Sequence, residues 1–136
     1  MAIHLLDPET EEYIDIMPGD LTGFAEGGDF GRLLSYSMAG IELRSPSGEE
    51  LNLTEGSEAI ITLPVSPEIA NNAETTIPLW FFNEEEGYWQ EEGEATLEGN
   101  TFVGNVSHFS FWNADAFADG VFLSGTVTSS FTGEPL

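Results

Sequence analysis

Apolar and polar residues alternate along most of this chain, and glycine and proline interrupt the alternation at short intervals. The longest alternating stretch covers residues 33–44, and a Ser-Pro-Ser-Gly turn sequence follows it. Alternation places every second side chain on the same face of a β-strand. No segment keeps the helical period of 3.6 residues beyond about two turns. We therefore predict an all-β fold, either an antiparallel β-sandwich or a partly open barrel, with short hairpins.

The same pattern predicts individual elements between the turn signals. The expected elements are a hairpin over 35–53, a strand over 59–65, a helical turn starting at Ser66-Pro67, hairpin turns at 83–87 and 99–100, and strands over 106–112 and 121–128. Proline lacks the N–H that a central strand needs, so Pro64 places the end of its strand at a sheet edge.

The charge of the chain excludes several classes of protein. It has 25 acidic residues and two arginines, and its formal net charge is -23. Binding to nucleic acid or to anionic lipid needs a cationic surface, so we predict neither. Cysteine is absent, which excludes disulfides and cysteine nucleophiles. The apolar runs are shorter than the roughly 18 residues of a membrane span, and the N-terminus lacks the features of a signal peptide.

A strongly acidic surface suits a saline or extracellular setting, and calcium binding is the alternative reading. Asn113, Asp115 and Asp119 are the candidate calcium ligands, because their oxygens are spaced two and four residues apart. They lack the rest of a calcium-loop pattern, so a polar loop is the preferred interpretation. We expect no cofactor, with calcium as the exception.

Aromatic and acidic side chains offer two further candidate sites. Trp80, Trp89 and Trp112 are either a sugar-stacking platform or part of the core, and core packing is preferred because aromatic residues dominate burial. Glutamates at 84–86 and 91–92 flank a predicted turn. Paired carboxylates for glycoside hydrolysis need to face each other across a cleft, so a solvated loop is the preferred interpretation.

Several motifs follow one another between residues 77 and 115. They are Ile-Pro-Leu-Trp-Phe-Phe, Gly-Tyr-Trp, Glu-Glu-Gly-Glu-Ala and Val-Ser-His-Phe-Ser-Phe-Trp-Asn-Ala-Asp, with 37–43 and 51–56 extending the pattern upstream. In this order they resemble the ZU-five module of netrin receptors and ankyrins, and a related module of cartilage intermediate layer proteins and Bacteroidetes-type surface proteins. The resemblance covers 33–115. It implies a β-sandwich that serves as a structural or interaction module beside other β domains.

The C-terminal residues resemble a different family. A strand followed by Thr-Gly-Glu-Pro-Leu is similar to the opening of a carboxypeptidase-regulatory-like domain. We therefore expect a ZU-five-like module over 1–120 and a terminal strand over 121–136 that starts a following domain. Such a strand lacks its natural partner, and edge strands pair readily, so self-assembly through edge strands is a further expectation.

The tripeptide His108-Phe109-Ser110 carries the catalytic hypothesis. Some ZU-five modules cut their own backbone at His-Phe-Ser, and the resemblance implies the same chemistry here. Ser110 Oγ attacks the carbonyl of Phe109, His108 accepts the hydroxyl proton, and water hydrolyses the resulting ester. Strain of about 1–3 kcal/mol at the bond is the usual drive. In a regular strand, however, residues two apart are about 6–7 Å from each other, which is too far for proton transfer.

The sequence thus leaves two functions open. The first is a non-catalytic structural or adhesive module of a secreted or bacterial cell-surface protein, whose partners are neighbouring β domains and other surface proteins or glycans. The alternative is a self-processing module cut between Phe109 and Ser110. No Ser/His/Asp triad is recognisable by motif, and no nucleotide-binding motif is present.

Overall fold

The computed structural model of the protein describes residues 2–6, 17–119 and 124–135. The elements within these ranges are β1 (Ala2–Leu6), β2 (Thr22–Phe24), β3 (Phe30–Arg44), β4 (Glu50–Leu51), β5 (Ala59–Pro64), α1 (Pro67–Asn72), β6 (Thr76–Asn83), β7 (Tyr88–Glu98), β8 (Thr101–Val106) and β9 (Phe111–Asp119). The all-β prediction is confirmed.

The described strands form one sheet in the order β1-β3-β9-β6-β7-β8-β5. Neighbours along this path are antiparallel. The short strand β2 pairs with the start of β3 and, in parallel, with the start of β7. The sheet does not close into a barrel, and β9 lies in its interior between β3 and β6.

Both faces of the sheet are buried, because alternate residues of the central strands pack into different clusters. The larger cluster contains Ala39, Leu79 and Trp112, and it extends to the inner residues of β5 and β8. The smaller cluster contains Met38 and Trp80, which are sequence neighbours of the first two. A sheet that is apolar on both faces needs a cover on each, which gives the fold its sandwich character.

The end of β5 folds back over β3 across the larger cluster. The hydroxyl of Ser37 donates a hydrogen bond to the carbonyl of Pro64 at 2.8 Å. The rings of Tyr36 and Phe102 stack nearby with centroids 6.4 Å apart. These contacts place β5 and β8 opposite the middle of β3, so that one curved sheet supplies both layers.

Most of the predicted elements are present. The long strand and its hairpin partner pair at Leu43 and Leu51, and β5 is an edge strand that ends at Pro64. The helical turn is α1, where the Ser66 hydroxyl accepts a hydrogen bond from the N–H of Ile69 at 3.3 Å. The predicted core role of the three tryptophans is also confirmed, since all are 0% exposed.

One predicted strand is wrong, and one falls partly outside the described residues. The expected strand over 106–112 is two strands with a break over 107–110. Of the expected strand over 121–128, residues 121–123 are outside the described ranges. Residues 124–127 have no strand, and Thr128 forms an isolated bridge with Pro135. Within the described ranges, no helix has the length and apolar character needed to cross a membrane.

Candidate functional site

The chain leaves the sheet between β8 and β9, and the His-Phe-Ser tripeptide lies in this 107–110 bend. Hydrogen bonds to other parts of the fold hold the backbone here. The indole Nε1 of Trp112 donates to the carbonyl of His108 at 3.1 Å, and the N–H of Ile41 donates to the carbonyl of Ser110 at 3.0 Å. These bonds replace the strand ladder that alternation predicted, which is why the regular strand does not form.

The bend brings the two predicted catalytic side chains into contact. His108 Nδ1 and Ser110 Oγ are 2.9 Å apart, which is hydrogen-bonding distance. The sequence argument for an inert pair assumed the 6–7 Å spacing of a flat strand, and that assumption is wrong here. A serine hydroxyl at this distance from an imidazole nitrogen meets the geometric requirement for general-base activation.

The second nitrogen of the imidazole contacts a carboxylate from another strand. His108 Nε2 lies 2.9 Å from Glu92 Oε2 on β7. An ionised carboxylate accepts hydrogen bonds but cannot donate them, so this contact assigns the proton to Nε2. The neutral imidazole then has a free lone pair on Nδ1, directed at the hydroxyl of Ser110. Glu92 therefore fixes the tautomer that a base needs.

A β-bulge on β7 positions Glu92. Trp80 pairs with Glu91 and Pro78 pairs with Glu94, so Glu92 and Gly93 together oppose a single residue of β6. Gly93 has a φ of 78°, in the region that favours glycine. Bulges re-aim side chains beside functional sites, and this one lies at the residue that contacts His108.

Aromatic rings enclose the imidazole on two sides. The ring of Phe81 meets it edge-on with centroids 4.7 Å apart, and the ring of Trp112 lies at 4.9 Å with an interplanar angle of 32°. The His108 side chain is 27% exposed and that of Glu92 is 45% exposed. The imidazole is thus held in one orientation while solvent still reaches the site.

Asn52, which follows β4, binds the middle residue of the tripeptide through both of its amide atoms. The backbone N–H of Phe109 donates to Asn52 Oδ1 at 2.7 Å. Asn52 Nδ2 donates to the carbonyl oxygen of Phe109 at 3.1 Å. A cavity of about 730 Å³ lies beside this group, and its lining includes Asn52 and all three residues of the tripeptide. The tripeptide therefore borders a cavity large enough for water.

The arrangement contains the groups that an N-to-O acyl shift requires. Ser110 could act as the nucleophile, His108 as the base and Glu92 as the group that orients the base, which are the roles of a serine triad. The carbonyl that Ser110 would attack belongs to Phe109, its immediate neighbour. The cavity has room for the water that the second step would need.

The candidate calcium ligands Asn113, Asp115 and Asp119 all lie on strand β9, so the polar-loop interpretation is wrong. Asn113 and Asp115 are fully buried on β9, and the Asn113 amide donates to Asp115 Oδ2 at 3.0 Å. Asp119 ends β9, and its side chain lies outside what the structure describes. Among the described residues, no group of three or more His, Cys, Asp or Glu side chains is placed to hold a metal ion. Calcium binding therefore stays a prediction from the sequence.

The acidic residues around the 83–87 turn separate into two groups. Glu84, Glu85 and Glu86 are exposed in the turn, as the solvated-loop interpretation expected. Glu91 and Glu92 lie instead on β7, where Glu92 contacts His108 and Glu91 accepts a hydrogen bond from the N–H of Glu26 at 2.8 Å. The loop interpretation is therefore wrong for these two residues.

Sequence reasoning identified His108, Phe109 and Ser110, but it missed Asn52 and considered Glu92 only as one of several paired carboxylates, not as the partner of His108. Glu92 is 16 residues from His108, and Asn52 is 57 residues from Phe109. Their roles depend on strand pairing and on the β-bulge. Neither feature produces a short motif that can be recognised in the sequence. The one available signal was the glycine after Glu92, since an isolated glycine in a strand pattern indicates a bulge.

Comparison with protein-family models, with curated proteins and with solved structures finds no match to this chain.

Proposed function

We propose that this domain cleaves its own backbone between Phe109 and Ser110. The observation that carries the proposal is the contact between His108 Nδ1 and Ser110 Oγ at 2.9 Å, on the serine that directly follows the bond. The contact between His108 Nε2 and Glu92 at 2.9 Å gives the imidazole the tautomer of a base. The ZU-five resemblance, a prediction from the sequence, points to the same bond.

The reaction has two steps. In the first, Ser110 Oγ bonds to the carbonyl carbon of Phe109 while its proton moves to His108 Nδ1. The bond between this carbon and the nitrogen of Ser110 then breaks, and the nitrogen takes the proton from the imidazole. In the second step, water attacks the ester, which leaves a carboxylate on Phe109 and restores the Ser110 hydroxyl.

Hydrolysis of the ester makes the overall cleavage irreversible. Among the described residues, only glycines have a positive φ, so the expected strain does not take that form. A shift to the ester without strain is unfavourable and reversible. Water consumes the ester irreversibly, and the cavity beside Phe109 gives water a route to it.

The test uses three single variants and one surface control. Cell-free synthesis is stopped in denaturant at intervals, and the cleaved fraction is measured by mass. We expect cleavage of the wild-type chain, none in Ser110→Ala and strongly slowed cleavage in His108→Ala. Glu92→Gln should slow cleavage by about 10²-fold or more, because an amide no longer fixes the tautomer. Glu98→Gln, at the exposed end of β7 and outside the cavity lining, should cleave at the wild-type rate.

An intact wild-type chain would overturn the proposal. The protein would then fit the first sequence prediction, a passive β-sandwich module in a secreted or cell-surface protein. Cleavage that persists in Ser110→Ala would also overturn it, because another nucleophile or a contaminating protease would be responsible.

A further inference from the structure

Asn52 is the side chain that binds the carbonyl oxygen of the bond proposed to be cut. Its Oδ1 accepts two backbone hydrogen bonds, from Phe109 at 2.7 Å and from Leu53 at 2.8 Å. Its Nδ2 donates to the Phe109 oxygen at 3.1 Å. The amide thus forms a two-bond clamp across both polar backbone groups of Phe109.

The two backbone donors define which way the amide points. If the amide were flipped, its NH2 group would face the N–H groups of Leu53 and Phe109, and its oxygen would face the Phe109 carbonyl oxygen. All three contacts would then be repulsive. The orientation with Nδ2 at the carbonyl oxygen follows from the hydrogen-bond pattern alone.

We propose that Asn52 is a catalytic residue that stabilises the oxyanion formed at Phe109. When Ser110 Oγ attacks, negative charge develops on the carbonyl oxygen that Nδ2 already contacts. A preorganised donor at that position gains strength as the charge develops, and its removal typically slows a reaction by about 10²–10³-fold. This inference rests on the proposed self-cleavage, and it adds the group that lowers the barrier to the first step.

The competing explanation is that Asn52 only holds the bend in shape. Asn52→Asp separates the two roles. An aspartate keeps the oxygen that accepts the N–H groups of Phe109 and Leu53, so these two hydrogen bonds persist while the bond to the Phe109 carbonyl oxygen is lost. It replaces the Nδ2 donor with a carboxylate oxygen, which repels the developing oxyanion. Asn52→Ala removes both roles without adding charge.

The control is Asn105→Asp, a matched change at an exposed amide on β8. The side-chain Nδ2 of Asn105 donates to Glu58 Oε2 at 3.3 Å and not to the tripeptide. We expect Asn105→Asp to cleave at the wild-type rate. We expect Asn52→Asp and Asn52→Ala to cleave at least 10²-fold more slowly. In a Ser110→Ala background, Asn52→Asp should unfold thermally at nearly the same temperature as Asn105→Asp.

Four results are distinguishable. Slow cleavage in both Asn52 variants, with an unfolding temperature for Asn52→Asp near that of the control, supports the oxyanion role. Cleavage within about threefold of wild type in either variant overturns it and leaves the self-cleavage proposal standing. Slow cleavage with a large loss of thermal stability in Asn52→Asp also overturns it, because Asn52 then acts through the fold. An uncleaved wild-type chain overturns the self-cleavage proposal itself.

Discussion

At the scale of single residues, the buried carboxyl group of Asp115 is the most unusual ionisable group of the described chain. Burial raises the pKa of Asp115 to about 7, although hydrogen bonding from Ser35, Asn113 and the backbone of Tyr36 opposes the shift. Asp115 Oδ1 and the Ser35 hydroxyl still lack a hydrogen bond of ordinary geometry to any described residue. The protonated form is therefore preferred in the folded state up to near-neutral pH.

This pKa predicts that the domain loses stability as the pH rises. The unfolded carboxyl releases its proton near its ordinary pKa of 3.8, while the folded one holds it to about 7. The folded state therefore binds more protons between these values, and stability falls by roughly 4 kcal/mol across that window. Asn mimics the neutral acid, so Asp115→Asn should remove most of this dependence.

The measurement is urea unfolding at pH 5 and pH 8, with Ser110→Ala as the background that keeps the chain intact. The other carboxylates contribute equally to both proteins, so the difference between Asp115→Asn and its parent isolates this residue. Equal pH dependence in the two proteins would contradict the assignment.

At the scale of elements, the bulge on β7 sets the position of Glu92 beside His108, and so bears on the proposed cleavage. Gly93 has a φ of 78°, and a Cβ at this position would meet nothing closer than the Asn105 carbonyl oxygen at 3.9 Å. Substitution is therefore strained by conformation and not by crowding. The strain relaxes by changing the bulge, which moves Glu92 away from His108.

A pair of glycine variants tests this link. Gly99 in the β7–β8 turn also has a positive φ, 63°, and open space around it. Gly93→Ala and Gly99→Ala should each lose about 1–2 kcal/mol of stability in urea unfolding. Only Gly93→Ala should also slow cleavage, by about tenfold or more, because only it displaces the group that orients the base. Equal cleavage rates in the two variants would argue against the role of the bulge.

The elements differ in how far the sequence determines them. Alternation followed by a Ser-Pro-Ser-Gly turn identified β3, and the β-branched run that ends near Pro64 identified β5. Alternation failed over 106–112, where the pattern continues but tertiary hydrogen bonds to Trp112 and Ile41 break the strand. The same break determines whether His108 is inert or reactive, so local pattern alone could not decide between the two functions.

At the scale of the whole molecule, the position of β9 determines what cleavage produces. β9 pairs with β3 on one side and with β6 on the other. It begins at Phe111, one residue beyond the Phe109–Ser110 bond. Trp112 and Ala114 on β9 belong to the larger core cluster. Breaking one peptide bond removes none of these contacts, so both fragments should stay in the sheet.

We therefore expect the cleaved domain to remain one particle. Fragments 1–109 and 110–136 should elute together in native size-exclusion chromatography, at the volume of the intact Ser110→Ala chain. They should separate in denaturant. Separate elution under native conditions would contradict the interior placement of β9.

The net charge of -23 should make the stability of the domain depend on salt. Arg44 is already paired with Glu42, so little cationic charge is left to offset the carboxylates. The screening length falls from about 30 Å at 0.01 M salt to about 3 Å at 1 M, which removes most long-range repulsion. The melting temperature should rise across this range of sodium chloride. A flat or falling melting temperature would contradict this account of the charge.

Intact mass under denaturing conditions tests the central claim most directly. After incubation at neutral pH, the wild-type chain should give two species that split after Phe109. Their masses should sum to that of the intact chain plus one water, and Ser110→Ala should give only the intact chain. A single wild-type species at 14.8 kDa would contradict self-cleavage and leave the contact between His108 and Ser110 as a feature of the fold.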